Sequence, residues 1–149
     1  MIGKTISTRL LLVLLCVGFD SSSYAVQESD LTALIEKASN GDAESQYDLG
    51  FRYLIGRGVP KDDKHAVEWF RKAAEQGDAT AQFNLGAMYA DGKGVPKDDV
   101  LAYMWSNLAA ASGYEAASEN RKILAKRMTR EQIAEGQRLS REWAASHSK

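Results

Sequence analysis

Cysteine, proline and histidine are nearly missing from this chain, and each scarcity excludes something. Cys16 is the single cysteine, so no disulfide within the chain can hold the fold, and packing alone must do so. Two histidines, His65 and His147, supply too few nitrogen ligands for a zinc site, which takes about four N or S donors. The prolines, Pro60 and Pro96, are also only two. No apolar run of bilayer length occurs anywhere. A formal charge of −1 gives no general attraction to nucleic acid or to an anionic membrane surface.

What is present begins with an export pattern. Lys4 and Arg9 precede an apolar stretch, residues 10–19 (LLLVLLCVGF), that is too short to span a bilayer. Ser23-Tyr24-Ala25 places small residues at −3 and −1 of a cut before Val26. Residues 1–25 therefore read as a signal peptide, and the mature chain as periplasmic or secreted, with Gram-negative-type export and no membrane insertion after cleavage. Cys16 lies within the apolar stretch behind Leu14 and Leu15, not behind a small residue, so lipidation there is not expected. The cut removes the only thiol.

The organising fact is an internal repeat of 36 residues. Leu49-Gly50 returns as Leu85-Gly86, Tyr53 as Tyr89, and the run Gly56 to Asp63 as Gly92 to Asp99 with one change. Ala66, Trp69 and Ala73-Ala74 return as Ala102, Trp105 and Ala109-Ala110. About half the positions of 41–76 and 77–112 are identical, beyond what chance supplies. Residues 31–40 fit the back half of a unit, and Gly113 starts a third that diverges.

Each unit reads as a helical hairpin. Gln46, Leu49, Gly50 and Tyr53 share one helical face. A mid-helix glycine costs about 1 kcal/mol relative to alanine, so Gly50 and Gly86 imply close approach of the partner helix. Gly56 and Gly58 stop the first helix, Pro60 prevents its return, and Asp62 caps the second. Ala66, Trp69 and Ala73 then form a packed face, with the tryptophans filling its volume. Gly77 and Gly113 end the second helices, and Asp78 caps the next. Thr129 with Gln132 has the form of a capping box. It opens a helix whose stripe of Ile133, Gly136, Leu139, Ser140 and Trp143 is expected to rest on Ile123 and Leu124.

The pattern L-G-x-x-Y-x-x-G-x-G-V-x-x-D followed by A-x-x-W-x-x-x-A-A-x-x-G resembles the Sel-like repeat, a relative of the tetratricopeptide repeat. The stretch 121–143 looks like the closing helix of short exported bacterial members. The resemblance implies an all-α fold: an α/α solenoid of helical hairpins over residues 30–128, with a capping helix at 129–146. It also implies a right-handed superhelix whose first helices line a concave, protein-binding face. Some relatives staple each hairpin with a disulfide; the cysteines for that are missing here.

No catalytic set emerges. The Asp62-Asp63 and Asp98-Asp99 pairs sit where helices start and read as caps. The G-x-G turns follow helices and lack a phosphate-loop continuation. No G-x-S-x-G or H-E-x-x-H occurs. His65 aligns with Leu101 and reads as structural, while His147 falls in a tail that reads as frayed. Arg121, Lys122, Lys126, Arg127 and Arg130 are broken by apolar residues and offset by Glu119 and Glu131, a solvated face and not a nucleic-acid site. No catalytic residue, metal or cofactor is expected.

Repeat proteins carry specificity where copies differ. By resemblance to tetratricopeptide grooves, the divergent pairs Phe51/Ala87, Arg52/Met88, Leu54/Ala90 and Ile55/Asp91 form the expected partner-binding set. The other reading of Phe51, Leu54 and Ile55 is that they pack on the preceding partial unit. The expectation is a non-catalytic adaptor or scaffold of the bacterial envelope that binds another protein. A peptidoglycan-associated protein modulating a cell-wall enzyme is the alternative, and a hydrolase a more distant one.

Overall fold

The computed structural model describes residues 21–147, with side chains from Ser29 onward. Residues 1–20, and with them most of the expected signal peptide and Cys16, lie outside the described residues. The described chain forms seven helices: α1 Ser21–Ser39, α2 Ala43–Ile55, α3 Asp63–Glu75, α4 Ala79–Asp91, α5 Asp99–Ala111, α6 Glu115–Ala125 and α7 Arg130–His147. The cut expected before Val26 falls within α1. The protein is an all-α solenoid: α2 pairs with α3 and α4 with α5, and α3 packs on α4 to stack the units.

The starts and stops have local causes. Asp42 and Asp78 accept from the backbone N–H of Ser45 and Ala81, and Asp62 and Asp98 each accept two backbone N–H bonds. Each aspartate satisfies donors that the first turn of its helix leaves open. Gly56 and Gly92 close α2 and α4 in the left-handed region, at φ 74° and 68°, where an L side chain costs about 1–2 kcal/mol. Tyr53 and Tyr89 then accept at their carbonyls from Asp62 and Asp98 N–H, at 2.9 and 3.0 Å. The two turns are built alike.

Glycine also sets the spacing within each hairpin. A Cβ at Gly50 would lie 2.9 Å from Phe70 and 3.2 Å from the Ala66 carbonyl; at Gly86 it would meet Ser106 and Ala102 at 3.0 and 3.1 Å. The close approach inferred from sequence is present in both units. The volume beside it is filled differently. In α3 Phe70 is fully buried, while Trp69 is only half-buried, with the Lys72 ammonium 4.0 Å above its ring. In α5 Ser106 takes the place of Phe70 and Trp105 is buried. Trp105, but not Trp69, fills the core as expected.

Glutamine ties one unit to the next. Gln46 donates to the Ala38 carbonyl at 3.0 Å, and Gln82 to the Ala74 carbonyl at 3.1 Å. Their reappearance at the same place in both copies thus has a mechanical reason: a buried side chain reaches across to the end of the preceding helix. Gln76 completes the first of these links by donating to Gln46 Oε1 at 2.8 Å. Its counterpart in the second unit is Ser112, which is too short, and the buried Gln82 Oε1 has no partner among the described residues.

The C-terminal helix departs from expectation. The capping box forms, with Gln132 N–H donating to Thr129 Oγ1 at 3.2 Å and Thr129 N–H to Gln132 Oε1 at 2.9 Å. The helix it opens packs chiefly on α5, however, and not chiefly on the helix before it. A Cβ at Gly136 would come within 2.8 Å of Tyr103 Cδ1. Ser140 donates to the Met104 carbonyl at 3.3 Å, and Trp143 stands edge-on to Trp105 at 6.1 Å. Small residues on α7 allow this approach. In α6 the place of Gly50 and Gly86 is taken by Lys122, so no hairpin partner can come as close. His147 is no frayed tail: it ends α7, stacked 4.0 Å from Trp143.

Candidate protein-binding face

The first helices of the units, α2, α4 and α6, each bury one side against their neighbours. On α4 the buried residues are Ala81, Gln82, Leu85, Gly86, Met88, Tyr89 and Ala90. At 100° per residue these leave Thr80, Asn84, Ala87 and Asp91 on the other side. The same register places Phe51 and Ile55 on the open side of α2, and Ile123 on that of α6. Phe51 is 41% exposed, Ile55 50% and Ile123 57%. Position 51 thus recurs as Ala87 and Ile123 along a row across the first helices of three successive units, apolar at both ends with a small residue between.

The eight residues expected to bind a partner separate on this geometry. Phe51, Ile55 and Asp91 are exposed and Ala87 is half-buried on the same side. Leu54 is half-buried and packs against the core. Arg52 is turned toward α1, where it joins Asp30, Lys37, Asp42, Glu44 and Asp48 around a cleft of about 780 Å³. Met88 and Ala90 are 4% and 9% exposed and leave the binding set as a correction. Met88 lies three residues from Leu85, on the side covered because a complete unit precedes α4. Arg52 and Met88 therefore differ because their neighbours inside the fold differ.

Ile123, which the sequence pattern places in the contact with α7, lies instead on the surface, because α7 rests chiefly on α5. Carrying the 36-residue offset one step beyond Ala87 would have found it.

Charge on this side of the solenoid is arranged at the helix ends. Asp91 pairs with Lys93 at 3.7 Å. One unit later its counterpart is Arg127, which grips Asp99 through two bonds, Nη2 to Oδ1 at 2.6 Å and Nε to Oδ2 at 3.1 Å, and donates to the Ala90 carbonyl at 3.2 Å. His65 holds Asp62 Oδ2 at 2.8 Å and stacks on Tyr53 at 5.0 Å. The hydrogen bond to Asp62 raises the imidazole pKa, and the bond from His65 lowers that of the carboxyl. His65 thereby braces a helix cap. Among the described residues, no group of three or more His, Cys, Asp or Glu is placed to hold a metal ion, and no helix is long and apolar enough to cross a membrane.

Known proteins share this construction. Residues 43–78 and 79–114 match the Sel1 repeat. Secretory immunoglobulin A-binding protein EsiB of Escherichia coli O6:H1, strain CFT073, is 41% identical over 49 residues, 33% of this chain and 10% of that protein. Among crystal structures, a protective antigen present in uropathogenic Escherichia coli strains and displaying an SLR fold superposes with a TM-score of 0.76 at 32% identity, over 93% of this chain and 29% of that one. A Sel1 repeat protein from Oxalobacter formigenes gives 0.62 at 44% identity, over 63% of this chain and 27% of its own. The chain spans a tenth of the curated relative and less than a third of either solved one.

Proposed function

We propose, for this member of the Sel1 repeat family, the work of a non-catalytic adaptor in the bacterial envelope that captures a partner protein on the open side of α2, α4 and α6. Repeats of this family generally serve protein interaction. The observation that carries the reading is the row Phe51, Ala87, Ile123 with Ile55 beside it. A large apolar side chain gains about 1.5–3 kcal/mol from full burial, so leaving three in water on one side is costly unless something covers them.

The export pattern of residues 1–25 supports a periplasmic or secreted site of action. The name of EsiB describes a protein that binds another protein, secretory immunoglobulin A, which supports a protein as ligand class. A match to a tenth of EsiB does not carry the immunoglobulin itself to this chain.

The test is a Phe51→Ser, Ile123→Ser double variant offered to envelope extract beside the parent chain. The variant should lose the captured partner while its circular dichroism and melting temperature stay unchanged. Retained capture with an intact fold would remove the face from the account.

A further inference from the structure

The cleft of about 780 Å³ between α1 and α2 has the form of a seat for a helix. At the 36-residue offset, Asp30, Ala33, Leu34 and Lys37 of α1 correspond to Ala66, Trp69, Phe70 and Ala73 of α3. In the full unit that side of α3 is covered by the first helix of its own hairpin. Ala66, Phe70 and Ala73 are fully buried there, and Gly50 of α2 lies against Phe70 and the Ala66 carbonyl. The rest of the cleft repeats as well. Asn40 stands where Gln76 donates to Gln46 and to the Gly41 carbonyl, and Arg52 where Met88 is buried. Among the described residues no first helix precedes α1, and Asp30, Ala33 and Lys37 are exposed, with Leu34 half-buried.

This bare side of α1 carries a pattern of its own. The two alanines of the full unit are replaced by one acid and one base, Asp30 and Lys37, placed symmetrically about the pair Ala33 and Leu34. All four share one side of the helix. Seven residues apart, the two charges are separated by about 10 Å along the axis, and neither is in an ion pair among the described residues. Beside a second α1 running the opposite way, position 30 of each faces position 37 of the other, and 33 faces 34. In a parallel pair like charges would meet instead.

We propose that two copies of the chain pair through this side, each laying its α1 antiparallel in the cleft of the other, about a twofold axis between Ala33 and Leu34. Two reciprocal ion pairs, Asp30 of each copy with Lys37 of the other, flank a small apolar contact. A twofold interface has to be self-complementary, and the order acid, apolar pair, base satisfies that. Antiparallel is also the sense in which α2 lies on α3 within the hairpin. Phe51, Ala87 and Ile123 do not line the cleft, so the pairing does not depend on the protein-binding reading above.

The test is sedimentation equilibrium of the chain as purified after export. One pair of helices is a small interface, so the dimer should form at roughly 10–100 µM and dissociate on dilution, and more readily at high salt. Asp30→Lys and Lys37→Asp should each weaken self-association at least about tenfold, by setting like charges opposite one another, with circular dichroism unchanged. Mixed in equal amounts, the two variants should recover a dimer, since each supplies the charges that the other has lost. The chain carrying both changes should dimerise like the parent.

A chain that stays monomeric over this range, its cleft left to some other occupant, would overturn the proposal. So would a dimer indifferent to both single changes, or single variants that do not recover on mixing. Growth beyond the dimer would overturn it too, because a head-to-tail contact builds open chains and not closed pairs.

Discussion

Ser112→Gln should stabilise the protein, although it places a larger polar residue on the surface. In the first unit Gln76 spans from its own helix end to Gln46 Oε1 at 2.8 Å and to the Gly41 carbonyl at 2.9 Å. In the second unit the acceptors in those places are Gln82 Oε1 and the Gly77 carbonyl, and Ser112 instead makes a long bond, 3.3 Å, back to the Leu108 carbonyl. Gln82 is 1% exposed, so its bare oxygen carries a desolvation cost of about 1–3 kcal/mol. Ordering a glutamine side chain takes back up to about 1.5–2 kcal/mol when it is fully fixed, and less at this exposed site. The net gain is about 0.5–1.5 kcal/mol, read as a higher urea midpoint at unchanged slope. Gln76→Ser is the mirror experiment and should cost about 1–2 kcal/mol by orphaning Gln46 Oε1. If Ser112→Gln leaves the midpoint unchanged or lowers it while Gln76→Ser is neutral, the glutamine link between units contributes nothing, and the reason given for its recurrence fails.

Three further outcomes follow from the same structure. Gly58 and Gly94 share a left-handed conformation, but only at Gly94 would a Cβ strike backbone, 2.2 Å from the Asp63 carbonyl oxygen; Gly58→Ala should cost about 1–2 kcal/mol in urea titration, and Gly94→Ala a further 1–3 kcal/mol or so. Deleting residues 129–149 uncovers Tyr103 and Trp105 and removes the half-buried Ile133, Leu139 and Trp143, a loss of about 3 kcal/mol that should lower the melting temperature by roughly 10–20 °C. His65 has a raised pKa, so its contribution is complete below its unfolded value of about 6.5 and is lost as pH rises through the folded one; that of Asp62, lowered, is present above the carboxylate range and lost on acidification. Stability from this pair is therefore greatest between those ranges, and His65→Gln should flatten the fall in urea midpoint between pH 6 and 8.

Duplication made much of the fold legible. Asp62 and Asp98, like Gly50 and Gly86, stand at matching places in the two copies, so a cap or a close approach argued for one copy is checked by the other. Where copies differ, the sequence shows the difference without its cause. Arg52 and Met88 differ because one faces α1 and the other a full unit. Ile55, Asp91 and Arg127 differ through the contacts each helix end makes. The stripe on α7 told which side of that helix is buried but not against what, since periodicity carries no information about the partner. Lys122 in the place of Gly86 was the available sign that α6 lacks a close hairpin mate.

The most direct test of the binding face is photo-crosslinking in the living cell, with a benzophenone amino acid placed in turn at Phe51, Ala87 and Ile123, and at Glu68 and Glu75 on the exposed side of α3. All five sites are surface positions in the same fold, so they differ only in the side of the solenoid they report. Adducts to one and the same protein from 51, 87 and 123, with none from 68 and 75, are the predicted result. Adducts from the α3 positions alone would place binding on the opposite side and contradict the account.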